Sequence, residues 1–295
     1  MTLTHAQAEK ATILKVLVGS HVHGLNIETS DRDIEAIVIE PMEYAMGLGR
    51  PFEETVIQKG EPCETSPIMG RVCQKGLSGC VVQHADVSYV SLRKWARLAI
   101  NGNPNFLLPL FAPNKDVLSG DARGFGLRAM APKFISRQAI RSHLGYMQNQ
   151  RKRMLRNDGN GGHGKPRIDL VEKYGYDTKF AMHLLRLGLQ GIELMREGKV
   201  SLPIKHRDRA FLLGVREGKH TIDEVIKISE ELERQLKAEC DTCDLPEKPQ
   251  TDEVQKAIVL LYIRQWSAAR TLDDVIHDRE RWGLTDIIDT RVEVK

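Results

Sequence analysis

The pattern of apolar positions predicts strands and helices over roughly the first 120 residues of the chain. An apolar run at residues 13–18 ends at Gly19-Ser20, and β-branched residues dominate the run at 31–40, which Pro41 ends. Short apolar runs of this composition favour β-strands. We therefore expect a strand over each run, with a short helix at 4–11 ahead of the first.

The next stretch, residues 42–80, is rich in Gly, Pro and Glu and has no clear period. Such a composition is typical of loops, so we expect at most short elements there. A strand-like pattern returns at 81–92 and turns helical at 93–100, and residues 102–105 end that helix. The first part of the chain is therefore predicted to combine a small sheet with helices.

Beyond about residue 134 the apolar positions recur with helical spacing. Helices are predicted at 136–156, at 178–197 and near 252–268. Thr221 and Glu224 form a capping box that begins a further helix.

This layout predicts an α+β fold in two parts. Residues 1–122 form an α/β module, and residues 123–295 form a helical module that a glycine-rich loop at 157–168 interrupts. The sequence shows no internal repeat.

The composition is that of an ordinary globular protein. Apolar residues make up 41% of the chain, and no run approaches the roughly 18 apolar residues that a membrane span needs. The first ten residues lack the segments of a secretion signal, so we expect a cytoplasmic protein without membrane contact. The five cysteines have irregular spacing, and the single CxxC at Cys240 and Cys243 has no second pair, which favours reduced thiols over zinc or disulfides.

Positive charge is concentrated in one stretch of the sequence. Residues 123–156 carry nine Lys or Arg and no Asp or Glu, whereas the residues on either side have a net negative charge. Such a stretch favours a phosphate-rich partner.

Two carboxylates stand together at the start of the second predicted strand. Asp31 and Asp33 are separated by one residue, so the two-residue period of a strand points both side chains to the same face. Anions held this close repel each other unless they share a divalent cation, and oxygen ligands suit Mg²⁺ or Mn²⁺. An exposed turn with two unrelated aspartates is the alternative.

The residues just before these acids form a candidate anion site. A strand that runs into Gly19-Ser20 and then into a helical turn aims main-chain N–H groups and the serine hydroxyl outward, and Gly19 lets a phosphate approach the backbone. A Gly-Ser pair alone is more often a tight turn without a ligand. Its combination with Gly24, Ser30 and Asp-x-Asp at the start of an apolar strand favours the binding site.

With these residues, segment 19–40 resembles the DNA polymerase β-like nucleotidyltransferase superfamily, whose sites combine a Gly-Ser turn, Asp-x-Asp and a third carboxylate on a neighbouring strand. Segments 86–113, 176–203 and 252–268 are similar to a predicted nucleotidyltransferase family associated with RNA repair, with bacterial and phage members. The resemblance covers most of residues 12–270. It implies a palm, a small mixed sheet flanked by helices, followed by an α-helical domain.

Members of that family more often carry an arginine and an aromatic residue between the serine and the next glycine, where this chain has His21 and His23. This departure bears on the choice of substrate rather than on the chemistry. The two histidines either read the nucleotide or pack beside the turn.

The third acid is assigned to Asp86, partly from the resemblance. Asp86 lies in the strand-like segment VVQHADVSYV, which carries no other carboxylate. Glu61 and Glu64 are rivals in a proline-containing loop. The alternative for Asp86 is an acid that caps a helix or belongs to a turn.

The resemblance implies transfer of a nucleoside monophosphate from an NTP to a hydroxyl, with release of pyrophosphate. Two Mg²⁺ or Mn²⁺ ions would be held by Asp31, Asp33 and Asp86, and Gly19 and Ser20 would bind the nucleotide.

Related enzymes place basic side chains of the helical domain over the triphosphate. This points to Lys179, with His183 or Arg186, on one face of the helix predicted at 178–197. An ordinary solvated polar face is the alternative.

The acceptor is predicted from the basic stretch. Arg137, Arg141 and Lys152 are compatible with one face of the 136–156 helix, and His163 and Lys165 follow in the glycine-rich loop. Positive charge of this kind suits an RNA or tRNA 3′ end better than a small acceptor, because each phosphate contact adds salt-dependent affinity. General surface charge is the alternative, since aromatic residues for base stacking are sparse.

Three functions are therefore compatible with the sequence. Transfer to RNA is the leading one, transfer to a protein or small-molecule hydroxyl is the second, and a non-catalytic module that binds nucleotides or RNA is the third. The assignment of all three acids argues against the third. The base of the NTP and the oligomeric state are left open.

Overall fold

The structure is a computed structural model that describes residues 2–28, 30–57, 71–72, 83–155 and 167–268. Glu61, Glu64, His163, Lys165, three of the five cysteines and most of the glycine-rich loop lie outside these ranges. Within them a small mixed sheet packs against helices, which confirms the predicted α+β class and the palm followed by helices.

Six strands are present in the described ranges: β1 (Thr12–Val18), β2 (Arg32–Val38), β3 (Glu54–Ile57), β4 (Arg71–Val72), β5 (Gln83–Ser91) and β6 (Val117–Gly120). The sheet has the order β3-β5-β2-β1-β6, and β4 pairs with the start of β5. β2 and β5 run parallel, whereas the other pairs are antiparallel.

The helices of the first part are α1 (His5–Ala11), α2 (Gly19–His23), α3 (Met42–Met46), α4 (Leu92–Ile100) and α5 (Leu108–Phe111). Those that follow the sheet are α6 (Ala122–Ala129), α7 (Ala131–Phe134), α8 (Ala139–Leu155), α9 (Ile168–Tyr174), α10 (Thr178–Glu197), α11 (His206–Arg216), α12 (Ile222–Thr242) and α13 (Thr251–Ala268). The domain boundary predicted at residue 122 falls at the start of α6 and stays a prediction.

Several of the predicted elements are confirmed. The runs at 13–18 and 31–40 form β1 and β2, the helix predicted at 178–197 is α10, and Thr221 with Glu224 makes the capping box of α12. The sequence pattern does not predict β3 and β6, because these are four-residue edge strands whose pairing depends on β5 and β1.

The predicted acids lie on the face of the sheet that packs against α10. Alternate residues of β2 point to the same side, so Asp33 shares a face with Glu35 and Ile37. Ile37 belongs to the main hydrophobic cluster, which also contains Leu184 and Leu187 of α10. The acids are therefore placed between the sheet and α10.

α13 returns from the helical part to the sheet. The Tyr262 hydroxyl donates to Glu40 Oε2 at 2.9 Å, and the Trp266 indole N–H donates to the Glu40 carbonyl oxygen at 3.0 Å. Glu40 is buried, and this burial raises the pKa of its carboxyl. Because the main hydrophobic cluster runs from β1 to α13, the two parts of the chain share one core.

The CxxC residues Cys240 and Cys243 are free thiols at the C-terminal end of α12. None of the described helices combines the length and apolar content required to cross a membrane.

Candidate active site

β1 ends in the Gly-Ser turn. The strand runs directly into α2, and the first residue of α2, Gly19, has a φ of +64°. A Cβ atom on Gly19 would lie 2.0 Å from Asp33 Oδ2, since Val18 and Asp33 are paired between β1 and β2. Glycine is therefore required here both by the backbone conformation and by the contact with the carboxylate.

Asp33 and Asp86 are neighbours on parallel strands. They are paired in register between β2 and β5, and Asp31 directly precedes β2. Burial raises the pKa of the Asp33 carboxyl above its ordinary value, and the negative charges of Asp86 and Asp31 raise it further, while Lys179 opposes the shift. The structure thus brings the three acids selected from the sequence into electrostatic contact.

Carboxylates crowded in this way fit a divalent cation. All their donor atoms are oxygens, as Mg²⁺ and Mn²⁺ prefer, and the buried Asp86 Oδ1 has no hydrogen-bond partner among the described residues. In the part of the chain that the structure describes, no three His, Cys, Asp or Glu side chains are already arranged to hold one ion. The acids are therefore close enough to repel each other without forming a closed coordination shell.

A cavity of about 780 Å³ lies between the sheet and the helices. The Gly-Ser turn and β2 form one wall, and α8 and α10 form another. Five cationic side chains and three carboxyl groups line it: Arg153, Arg167, Lys179, Arg186, Arg216, Asp31, Asp33 and Glu35. The size is typical of small-molecule sites, and the excess of cations fits a ligand with several negative charges.

Part of the cationic wall is organised around the start of α10. The buried Asp177 caps this helix and also accepts hydrogen bonds from the Arg167 backbone N–H at 2.8 Å and from its guanidinium at 3.1 Å. The Cζ atoms of Arg167 and Arg153 lie 5.4 and 5.9 Å from the centroid of the Phe180 ring. Both guanidinium groups are thereby held beside the first turns of α10.

Lys179 and Arg216 complete this group. Burial lowers the pKa of Lys179, and repulsion from Arg167 and Arg216 lowers it further. Arg216 Nη1 is buried and has no hydrogen-bond partner within the described ranges. Crowded cations with an unpartnered donor make a site that a bound anion would stabilise.

Arg186 lines the cavity but is held by a polar network behind it. Its Nη1 donates to His23 Nε2 and to Gln190 Oε1, each 2.8 Å away, and burial lowers its pKa to about 10. Burial and the charge of Arg186 hold the pKa of His23 well below its ordinary value. Because Arg186 can only donate, Nε2 of the neutral His23 is the acceptor. His23 packs beside the turn and also lines the cavity, so both roles considered for it stay predictions.

The other histidines occupy different places. His183 lines the cavity one turn after Lys179, and burial with the charge of Arg186 holds its pKa well below the ordinary value, so it offers hydrogen bonds rather than charge. His21 Nε2 lies 3.3 Å from the Ser30 carbonyl oxygen.

Comparison with known proteins agrees with this geometry. Residues 1–261 match the family described as the RNA repair pathway DNA polymerase beta family. The chain belongs to this family. No curated protein matches it. The match agrees with the nucleotidyltransferase resemblance of segment 19–40 and with the RNA-repair resemblance of segments 86–113, 176–203 and 252–268.

Three of the cationic residues that line the cavity could not be found from the sequence. Arg167 lies near the end of the glycine-rich loop, and Arg216 ends α11, which the apolar pattern does not predict. Arg153 is indistinguishable from its basic neighbours in sequence, and only the packing of α8 against α10 brings it to the cavity.

Several residues of the basic stretch at 123–156 are partly buried and have partners within the protein, which its composition does not indicate. Arg123 forms a salt bridge with Asp121, two residues before it. Lys133 and Arg151 form salt bridges with acids from later in the chain, Glu253 and Glu233, respectively. Arg137 donates to the carbonyl oxygens of Leu245 at 3.0 Å and Cys243 at 2.9 Å. Arg141 and Lys152 are exposed on α8.

Proposed function

We propose that the protein transfers a nucleoside monophosphate from an NTP to the 3′-terminal hydroxyl of an RNA or tRNA and releases pyrophosphate. One observation carries this proposal: a single cavity has clustered carboxylates on its sheet wall and clustered cations on its helical wall. A ligand that satisfies both walls carries several negative charges and binds together with divalent cations, as a metal-bound triphosphate does.

Asp31, Asp33 and Asp86 would hold Mg²⁺ or Mn²⁺. In such a site two ions supply charge neutralisation at the α-phosphate and favour the deprotonated acceptor hydroxyl. The unpartnered Asp86 Oδ1, next to Asp33 across the parallel strands, supports this assignment.

The chain's own residues position the triphosphate. Arg153, Arg167, Lys179 and Arg216 neutralise its oxygens from the helical wall, and the unpartnered Arg216 Nη1 donates to one of them. Gly19 leaves the main chain open on the opposite side, with the Ser20 hydroxyl beside it. His183 adds a neutral hydrogen-bonding group, and Arg186 adds charge from a fixed position.

In the reaction the acceptor 3′-oxygen forms a bond to the α-phosphorus while the bond from that phosphorus to the bridging oxygen of pyrophosphate breaks. The hydroxyl proton passes to Asp86. The pyrophosphate oxygens keep their contacts with the cationic wall until release. The protein contributes orientation and charge stabilisation, and no covalent enzyme intermediate forms.

The RNA acceptor is supported by the family relationship and by exposed basic residues on α8. Arg141 and Lys152 lie on the same helix as the cavity residue Arg153, so a strand that contacts them has its end near the cavity. Arg137 does not share this role, because its guanidinium binds main-chain carbonyl groups.

The test is incorporation of α-phosphate label from each of the four NTPs into total RNA with Mg²⁺ or Mn²⁺. We expect Asp33→Asn and Asp86→Asn each to lower the rate about a thousandfold, equivalent to about 4 kcal/mol of transition-state stabilisation. Asp223→Asn, an exposed acid in the first turn of α12, is the matched control and should change nothing.

Label on protein or on a small molecule but not on RNA would contradict the acceptor. Incorporation that survives both substitutions would contradict the site. Absence of label on every acceptor would contradict catalysis and leave a binding module.

A further inference from the structure

One wall of the cavity is formed by uncharged side chains, which have no role in the proposed binding of the triphosphate or the metal ions. Asn105 and Leu108 near α5, Tyr146 and Gln150 on α8, and Leu187 on α10 line the same space without contributing charge. The bond changes at the α-phosphorus during nucleotidyl transfer need none of these side chains. They therefore define a second part of the site with a different chemistry.

This uncharged wall extends from the phosphate-binding side chains along α8. Tyr146, Gln150 and Arg153 occupy positions i, i+4 and i+7, which share one face of a helix. With a rise of 1.5 Å per residue, Tyr146 lies about 10 Å along the axis from Arg153. Since Arg153 stands beside Phe180 in the first turn of α10, the cavity is cationic at one end of this face and uncharged at the other.

Gln150 lines the cavity and has a side-chain oxygen whose hydrogen bond is unmet. The side chain is 9% exposed, and its Oε1 atom is buried without a hydrogen-bond partner among the residues that the structure describes. A buried amide oxygen without a donor is destabilising, and few are found in folded proteins. A ligand that brings an N–H group to this oxygen removes the penalty.

Tyr146, one turn away, supplies an aromatic ring whose hydroxyl is already engaged. Asn103 Nδ2 donates to the Tyr146 hydroxyl at 2.8 Å, which ties the ring to the loop between α4 and α5. What remains available to a ligand is the aromatic ring. Aromatic rings stack on nucleobases with little sequence preference.

We propose that this wall binds the base of the NTP and that Gln150 selects adenine. Oε1 accepts a hydrogen bond from the exocyclic N6 amine, Nε2 donates to the neighbouring ring nitrogen, and the Tyr146 ring packs on the base. This assignment rests on the proposed function, because it takes the cationic end of the cavity as the triphosphate site.

The buried position of the acceptor atom sets the preference. The donor and acceptor groups of adenine complement those of a glutamine amide, a pairing that recurs in nucleic-acid recognition. Guanine and uracil present a keto oxygen where adenine presents its amine, so two acceptors would face each other at Oε1. Cytosine has the same order of groups as adenine but a smaller ring to pack on Tyr146.

The experiment measures binding without an acceptor, so that no transfer is needed. Isothermal titration with the four α,β-methylene NTP analogues and with tripolyphosphate, all with Mg²⁺, separates the base from the phosphates. We expect the adenine analogue to bind about tenfold or more tightly than the guanine and uracil analogues, the range that a buried polar mismatch gives. A wild-type protein with no preference, or with preference for another base, overturns the proposal.

Variants assign the preference to Gln150. Gln150→Leu should weaken the adenine analogue about tenfold and leave tripolyphosphate unchanged, which also shows that the variant is folded. Gln148→Leu, an exposed glutamine on the same helix, is the control and should bind as the wild type does. Equal weakening of all analogues and tripolyphosphate by Gln150→Leu overturns the assignment.

Tyr146 provides an independent check. Tyr146→Phe keeps the ring and should retain binding, whereas Tyr146→Leu should weaken all four analogues about tenfold without affecting tripolyphosphate. Unchanged binding to Tyr146→Leu contradicts the base site.

The outcomes also separate this inference from the proposed function. Selective binding of the adenine analogue without label transfer refutes catalysis and leaves the base site standing. Label transfer without base preference refutes only the base site. Failure of every analogue and of tripolyphosphate to bind refutes both.

Discussion

Arg186 Nη1 donates a hydrogen bond to His23 Nε2 across 2.8 Å and thereby joins α10 to α2. α2 begins with the Gly-Ser turn, and α10 carries Lys179, so this contact connects the two walls of the cavity. No salt bridge to Arg186 is present in the described ranges, and Gln190 Oε1 at 2.8 Å is a further neutral acceptor. The network fixes the separation between the turn and the cationic wall.

A double-mutant cycle on this pair should show strong coupling. We expect His23→Leu to lower the free energy of unfolding by about 2 to 4 kcal/mol, because it removes an acceptor from a buried guanidinium. Arg186→Leu should cost less in the His23→Leu background than alone, with a coupling energy of about 1 to 3 kcal/mol. Urea unfolding measures both values. His206→Leu, an exposed histidine at the start of α11, is the control, and additive effects at His23 and Arg186 would contradict the network.

Gly19→Ala should damage both the fold and the site. An added methyl group meets Asp33 Oδ2, and the positive φ costs about 1 to 2 kcal/mol for a residue with a side chain. We expect lower stability in urea unfolding and loss of label incorporation. Gly126→Ala in α6 is the matched control, since an added Cβ there has no atom within 4 Å among the described residues, and it should stabilise by up to about 1 kcal/mol. Full activity of Gly19→Ala would be inconsistent with the close approach to Asp33.

Glu35 should make the metal-free protein less stable as the pH rises. Burial, with a contribution from Glu54, raises the pKa of its carboxyl to about 8, and Oε1 has no hydrogen-bond partner in the described part of the chain. Between the unfolded pKa of about 4.5 and the folded pKa of about 8, the folded state binds the extra proton. Stability is therefore lost across this window, by up to about 1.4 kcal/mol per pH unit.

Glu35→Gln removes this titration and keeps the shape of the side chain. Unfolding in urea with EDTA at about pH 5.5 and about pH 7.5 should show the variant gaining about 2 kcal/mol relative to the wild type as the pH increases. A constant difference between the two proteins across this range would show that Glu35 is ionised in the folded state.

The basic residues of α8 should separate into two groups. Arg141→Gln with Lys152→Gln should weaken RNA binding and reduce the slope of affinity against salt by about 1.4, as two lost phosphate contacts would. Arg137→Leu should instead lower stability by about 1 to 3 kcal/mol, since it breaks hydrogen bonds to Leu245 and Cys243. Filter binding over a salt series and urea unfolding distinguish these effects. An unchanged salt slope for the double variant would exclude this face from RNA contact.

The parts of the site that the sequence predicts are those with a local pattern. Asp31 and Asp33 have a two-residue spacing at the start of one apolar strand, and the Gly-Ser turn follows another apolar strand. Both patterns can be recognised without knowledge of distant residues. The assignment of Asp86 depends on the family resemblance as well, because a single acid in a strand forms no recognisable spacing pattern. Its register with Asp33 exists only in the folded sheet.

Arg167 and Arg216 could not be predicted in the same way. Each is an ordinary surface-type residue in sequence, and the two come to one cavity because α9 and α11 both pack near the start of α10. For the basic stretch, the sequence overestimates the free positive charge. A count of charges along the chain does not show that Glu233 of α12 and Glu253 of α13 form salt bridges with it in the folded protein. Charge along a sequence predicts surface potential only after the partners from other elements are known.

The contacts between α13 and Glu40 constrain how the chain folds during synthesis. Tyr262 and Trp266 lie 222 and 226 residues after their partner. The sheet leaves the ribosome before α13 does, so the carboxyl group and carbonyl oxygen of Glu40 gain these partners only after α13 has been translated. Domains usually fold one after another as the chain emerges. Here the packing of the nascent sheet around Glu40 stays incomplete until α13, more than 200 residues later, has been made.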